Sequence, residues 1–235
     1  MNPQIPIYIS VAFLIAICVP IYLIARLAQK HSKPEQANSL FYGIIGFYFI
    51  YLVVVGFACL NGSFSEVTLP PKIIQLTTLP LLLLLMVVVF NTGFYKGLLK
   101  TIPVDELILL HRFRLIGSFF IILLLLELLP PVFALIAGIG DVVTALSSFW
   151  VAKMIRENRK YASKAAIIWN SFGLLDILIT STTAVLLTKI SIETGALGVD
   201  VLATFPFCFI PAFAPATIIF LHISIYRKLF SKNFS

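Results

Sequence analysis

Charged side chains are scarce in this sequence: Asp, Glu, Lys and Arg make up 11% of its 235 residues, where a water-soluble domain carries roughly 25%. That is too little to cover a soluble surface. Cysteine is nearly absent as well. Cys18, Cys59 and Cys208 are odd in number and lie inside apolar stretches, which excludes a disulfide framework and leaves them as small packing residues. No linker, low-complexity tract or internal repeat breaks the chain, so residues 1–235 are expected to form one domain. What fills the sequence instead is apolar: 60% of the residues are hydrophobic and the mean hydropathy is +1.05. Disorder and collagen are excluded by the same figures. The expected class is a polytopic integral membrane protein.

A bilayer core of ~30 Å takes ~20 apolar residues per helix. Seven stretches meet that length, at roughly 5–27, 39–60, 73–95, 107–129, 131–152, 165–188 and 199–226. Blocks such as 81–90 and 121–126 are apolar without alternation, unlike membrane-spanning strands, and helices satisfy every backbone N–H and C=O within lipid. The expected fold is therefore an all-α bundle of seven spans. Of 17 Lys and Arg residues, 15 fall on one side of these spans, Lys232 among them, with only Lys72 and Lys189 opposite. Positive loops stay cytoplasmic, which predicts an external N-terminus and a cytoplasmic C-terminus. The first span lacks a basic leader and a cleavage site and is expected to be retained. The net charge of +7 suits orientation and anionic lipids on the cytoplasmic face, and nucleic acid is not needed to explain it. Arg112 and Arg114 are expected to snorkel to the inner interface, with Trp150 and Trp169 as aromatic anchors nearby.

Three acidic residues fall inside spans: Glu127, Asp141 and Asp176. A carboxylate at the centre of a span costs ~2.5–3.5 kcal/mol on insertion scales, so each needs a reason to be there. Counted from the span ends at ~1.5 Å per residue, Asp141 and Asp176 both lie ~15 Å deep, on spans joined by a short loop and expected to pack together. Two close carboxylates do not both ionise cheaply unless a cation lies between them. Around Asp141, one face carries Ala134, Ala137, Gly138, Thr144, Ala145 and Ser148; around Asp176, Gly173, Thr180 and Thr183 align, with Asn170 inward. These faces predict a polar track across the midplane. A structural clamp is the plainer alternative, but interhelical hydrogen bonds averaging ~0.6 kcal/mol do not offset two buried acids. Glu127, just before Pro130 and Pro131, is a weaker candidate at the outer end of span four.

Pro206, Pro211 and Pro215 in span seven each remove a helical hydrogen bond, and interrupted helices line cavities in transporters. They are the candidate hinges. Span seven contains no lysine, which excludes a retinal Schiff base. His31, His111 and His222 are expected near the cytoplasmic surface and raise an intramembrane metal hydrolase as a further possibility, although no pair is spaced four apart. Gly93 and Gly97 form an isolated packing pattern.

Arg114 with Gly117, Leu129-Pro130, Ala137-Gly138-Ile139-Gly140-Asp141, and Trp169-Asn170 with Gly173 and Asp176 together resemble a family of uncharacterised bacterial polytopic membrane proteins over spans four to six. The resemblance implies a bacterial inner-membrane location and no particular substrate. The leading expectation is a small transporter or permease-like protein. Asp141, Asp176, Asn170, Thr144, Thr180 and Glu127 would bind a proton, cation or small polar solute. A ligand-binding receptor or accessory subunit is the second expectation. No metal or other cofactor is implied, and no oligomeric state.

Overall fold

A computed structural model describes residues 5–231; Lys232, assigned above to the basic side, lies outside them. Among the described residues all regular structure is helical, and seven helical stretches are long and apolar enough to cross a membrane. The protein is a multi-pass helical bundle. Ile7, Phe49, Phe57, Leu125 and Leu146 are exposed, the pattern of a protein whose solvent is lipid.

The first span is α1 (Ile7–Ala16) running into α2 (Cys18–His31), and the second is α3 (Pro34–Leu60). Pro34 starts α3 in the first turn, where its missing N–H has no intrahelical partner to lose. The third span is irregular: a π-helical turn (Ile74–Thr78), α4 (Leu79–Leu83), a second π turn (Leu84–Val88) and a 3-10 turn (Val89–Asn91). The first π turn borders Pro80, which has no N–H to donate; Leu79 reaches five residues back to the Ile74 carbonyl. Residues 93–101, partly assigned to span three from hydropathy, form the separate helix α5 (Gly93–Thr101), capped by the Thr92 hydroxyl on the Tyr95 N–H at 3.1 Å. Open space lies where a side chain on Gly93 or Gly97 would point, so their spacing makes no packing seam with another helix of this chain.

The fourth span joins α6 (Val104–Leu110), a 3-10 segment (His111–Gly117) and α7 (Ser118–Leu125). It starts ahead of the expected boundary at residue 107 and carries His111, Arg112 and Arg114 inside it. The fifth is α8 (Pro131–Arg156), again opened by proline, and the sixth is α9 (Ala162–Thr194), ended by Gly195 in the left-handed conformation. The seventh begins later than expected. Residues 200–203 form a 3-10 turn, a cis bond joins Phe205 to Pro206, and α10 runs from Phe209 to Leu229.

Half or more of the most apolar stretch is buried in spans four, five and seven, against 17–22% in the first three spans. Spans four, five and seven therefore form the interior. The sixth turns a narrow inward strip, Asn170, Gly173, Asp176, Ile177 and Thr180, against α8 and α10. Lys30 pairs with Glu106 at 2.9 Å and Arg156 with Asp105 at 3.1 Å at the end that carries the basic loops.

A buried charge cluster as candidate functional site

The site begins with helix periodicity. In an α-helix of ~3.6 residues per turn, His111 and Gly117 would lie about 120° apart around the axis. In a 3-10 helix, side chains three apart eclipse. The 3-10 segment thus stacks His111, Arg114 and Gly117 on one face, and all three are buried while Leu115 is exposed. That face packs on α8, and the Arg114 side chain reaches α9.

Arg114 is fully buried, with none of its surface exposed. Its Nε donates to Asp141 Oδ1 at 2.6 Å, one Nη donates to Asp176 Oδ2, and the other donates to the Gly173 carbonyl at 3.1 Å. The same nitrogen lies 3.3 Å from His222 Nε2. Each of the three guanidinium nitrogens is therefore committed. The cation required between two buried acids is part of the protein. Contrary to the expectation from sequence, Arg114 does not snorkel, because two carboxylates and a carbonyl inside the bundle replace the water it would otherwise seek.

His222 and His111 also lie away from the surface, correcting the sequence reading: neither exposes any area. His222 accepts from Arg114 through Nε2, so Nδ1 carries the proton and donates to Asn170 Oδ1 at 2.8 Å, while Asn170 Nδ2 donates to the His222 carbonyl at 3.0 Å. Asn170 thus fixes the histidine and is not free for a solute. The His111 ring lies 4.2 Å from that of His222 and edge-on to Trp169 at 5.3 Å. Trp169 is buried, donating to the Thr144 carbonyl at 3.2 Å and to Ser147 Oγ at 3.1 Å, and is no interface anchor. Among the described residues, no group of three His, Cys, Asp or Glu side chains is arranged to hold a metal ion.

Three glycines make this packing possible, one each on spans four, five and six. A Cβ on Gly117 would collide with the Asp141 carboxyl and one on Gly140 with the Asp176 carboxyl; one on Gly173 would lie 2.6 Å from His222 Cε1. Real Cβ atoms do not approach so closely. Each glycine therefore presents bare backbone to a polar side chain of its neighbour.

The chain belongs to the DUF8737 family, a domain of unknown function, matched over residues 71–230. No curated protein and no solved structure matches it. The DUF8737 match contains every residue of the cluster and spans three to seven, and leaves α1, α2 and α3 outside.

The other candidates divide. Thr144 and Thr180 adjoin the cluster, one turn beyond Asp141 and Asp176 respectively, and the hydroxyl oxygen of each is buried without a hydrogen-bond partner. Both ring nitrogens of His111 share that condition. A buried polar atom without a partner costs ~1–3 kcal/mol, and these four flank one cluster. Glu127 takes no part. It is exposed, in the left-handed conformation at φ 57°, in the turn after α7. Of the three prolines, Pro206 precedes α10 and Pro211 lies in its first turn; only Pro215 sits within it. Because Pro215 has no N–H, the Pro211 carbonyl loses its helical donor, and Thr78 Oγ1 donates to it instead at 2.6 Å.

Beside the cluster lies a cavity of about 100 Å³ whose wall includes Arg114, Asp141 and Thr180. A vestibule of about 570 Å³ at the end opposite the basic loops is lined by Glu66, Lys72, Asp200 and neighbours. Ile74, Ala184, Leu202 and Pro211 border both spaces, so a single layer of side chains stands between them.

Proposed function

We propose that this protein is a small permease-like membrane protein in which Arg114, Asp141 and Asp176 hold one exchangeable proton or cation midway through the bilayer. One observation carries the reading: a single guanidinium serves two buried carboxylates. With both acids ionised the cluster has a formal charge of −1, and a low-dielectric interior favours its neutralisation by one positive charge. A structural clamp needs only one acid for one arginine. The second creates the surplus, and an intramembrane ionisable group marks an ion or proton pathway. Position agrees with this role, since Arg114 sits ten residues into the 22-residue span Val104–Leu125 and Asp141 ten residues into the 26-residue span Pro131–Arg156.

In this reading Asn170 locks the His222 tautomer, Thr144 and Thr180 offer neutral hydroxyls, and Pro215 weakens the helix beside the cavity. The basic loops face the cytoplasm, against anionic lipid, in a bacterial inner membrane. The test is reconstitution into liposomes with an internal pH-sensitive dye and an imposed pH gradient. The wild-type protein is expected to dissipate the gradient, and Asp141→Asn and Asp176→Asn to slow dissipation at least tenfold while melting at or above the wild-type temperature. Unchanged flux in both variants would overturn the proposal.

A further inference from the structure

The geometry points to a particular class of cargo: we propose that the cavity beside Asp141 binds a small alkylammonium ion, its charged head on the cluster and its apolar body among aromatic rings. This rests on the exchange reading above and names what exchanges with the proton. Three features of the cavity select that chemistry.

The first is which hydrogen-bonding capacity remains unused. Four of the five N–H donors of Arg114 are committed, to Asp141, Asp176, the Gly173 carbonyl and His222, and with two carboxylates against one guanidinium the surplus charge beside the cavity is negative, which disfavours an anion. Asp141 uses only Oδ1 towards Arg114, which leaves Oδ2 to accept, and Asp141 lines the cavity. Thr180, 9% exposed, lines it too and has no partner for its hydroxyl oxygen. A carboxylate oxygen and a hydroxyl are open to accept beside a surplus negative charge, and the ligand that fits is a cationic donor.

The second is the wall. Phe113, Phe120, Phe133 and Phe213, with Ile177 and Ile218, surround the space. Aromatic faces attract cations within about 6 Å, more strongly when desolvated, whereas a bare metal ion would find too few oxygens there to replace its hydration shell. A volume of about 100 Å³ is below the ~150 Å³ that accommodates benzene, which limits the apolar body to a short chain.

The third is the approach. The vestibule carries Glu66, Asp200 and Lys72, and Lys72 pairs with Glu66; no ion pair to Asp200 is found among the described residues. The vestibule thus carries a surplus of one negative charge, and a net-negative mouth raises the local concentration of cations. Vestibule and cluster select the same charge in sequence.

The experiment compares three probes of one shape, propylammonium, propanol and propionate, by thermal unfolding of the purified full chain in neutral detergent. Propylammonium is expected to raise the melting temperature saturably, by roughly 5 °C at high excess, with propanol and propionate leaving it unchanged. Thr180→Val is expected to weaken the apparent affinity about tenfold through loss of one hydrogen bond to a charged group, and Asp141→Asn to abolish the shift. An equal shift with propanol would show an apolar pocket without charge selection. A shift with propionate would show an anion site on Arg114. Either result, or no shift with any probe, overturns the assignment. Proton flux measured on the same preparation separates the two levels: flux that depends on Asp141 without a propylammonium shift leaves the exchange function standing and removes this cargo, and absence of both removes both.

Discussion

Replacing Arg114 with methionine removes the one cation that two buried acids share. Methionine keeps most of the volume, so packing changes little, but Asp141 and Asp176 are left 7% and 8% exposed without a counter-charge. Breaking a buried ion pair by deleting one partner costs ~3–5 kcal/mol, while replacing all of its charges together is often neutral. Arg114→Met alone is therefore expected to lose about 4 kcal/mol, and the triple variant Arg114→Met, Asp141→Asn, Asp176→Asn about 1 kcal/mol or less. Asparagine is the right replacement because Gly117 and Gly140 leave no room for a larger group beside either carboxyl. Denaturant unfolding in mixed micelles measures both, and a double-mutant cycle between Arg114→Met and Asp141→Asn should show strong coupling. A cost below about 1 kcal/mol for Arg114→Met, or a triple variant as unstable as the single one, would show that the two acids do not depend on Arg114 for their counter-charge.

Other consequences are as direct. Gly140→Ala pushes a methyl into the Asp176 carboxyl and should cost ~1–3 kcal/mol, whereas Gly97→Ala, which meets nothing, should be neutral or slightly stabilising; the two melting temperatures compared in one detergent decide it. Thr78→Val removes the donor to the Pro211 carbonyl and should cost ~1–3 kcal/mol, but much less in a Pro215→Ala background, where the helix supplies its own N–H. Asn170→Leu deprives His222 Nδ1 of its acceptor, and nitrogen NMR of the labelled imidazole should then show mixed tautomers in place of a single Nδ1–H form.

Asp141 and Asp176 were legible from sequence because a membrane span is a ruler: residues counted inward from Pro131 and from the end of the basic loop before α9 placed both at one depth, each with small neighbours three and four away. The helices carrying them begin near those marks. Arg114 was not legible, for a related reason. Lying beside Arg112, it looked like the edge of a loop, and the fourth span was measured from the residue after it. His222 was misplaced likewise, because its burial depends on Asn170 from another helix. A trace was present: His111, Arg114 and Gly117 recur every three residues, the period of a 3-10 helix and not of the α-helix assumed. The glycines were visible only as members of a motif; their reason, an acid or imidazole of the adjacent helix lying where a side chain would be, requires three dimensions.

The two sides of the cavity are built on different principles, and this bears on how an occupant could leave. On the cluster side, the 3-10 segment, α8 and α9 are pinned by glycine contacts and by a guanidinium that reaches three acceptors on α8 and α9. Displacing any of them strands a buried charge, so that side behaves as a rigid wall. Across the cavity stand the π turn of span three and the Pro211–Pro215 segment of α10, where the regular backbone ladder is already broken. Side-chain hydroxyls make up the loss. Thr78 donates to the Pro211 carbonyl, and Tyr51 contacts the carbonyls of Thr77 at 3.1 Å and Ala212 at 3.0 Å. Such bonds are worth about 1 kcal/mol each and are exchangeable for water without stranding a charge. Ile74 and Pro211, which border both the cavity and the vestibule, belong to this softer side. Opening the layer between the two spaces is therefore cheapest through spans three and seven, with the charge cluster held still.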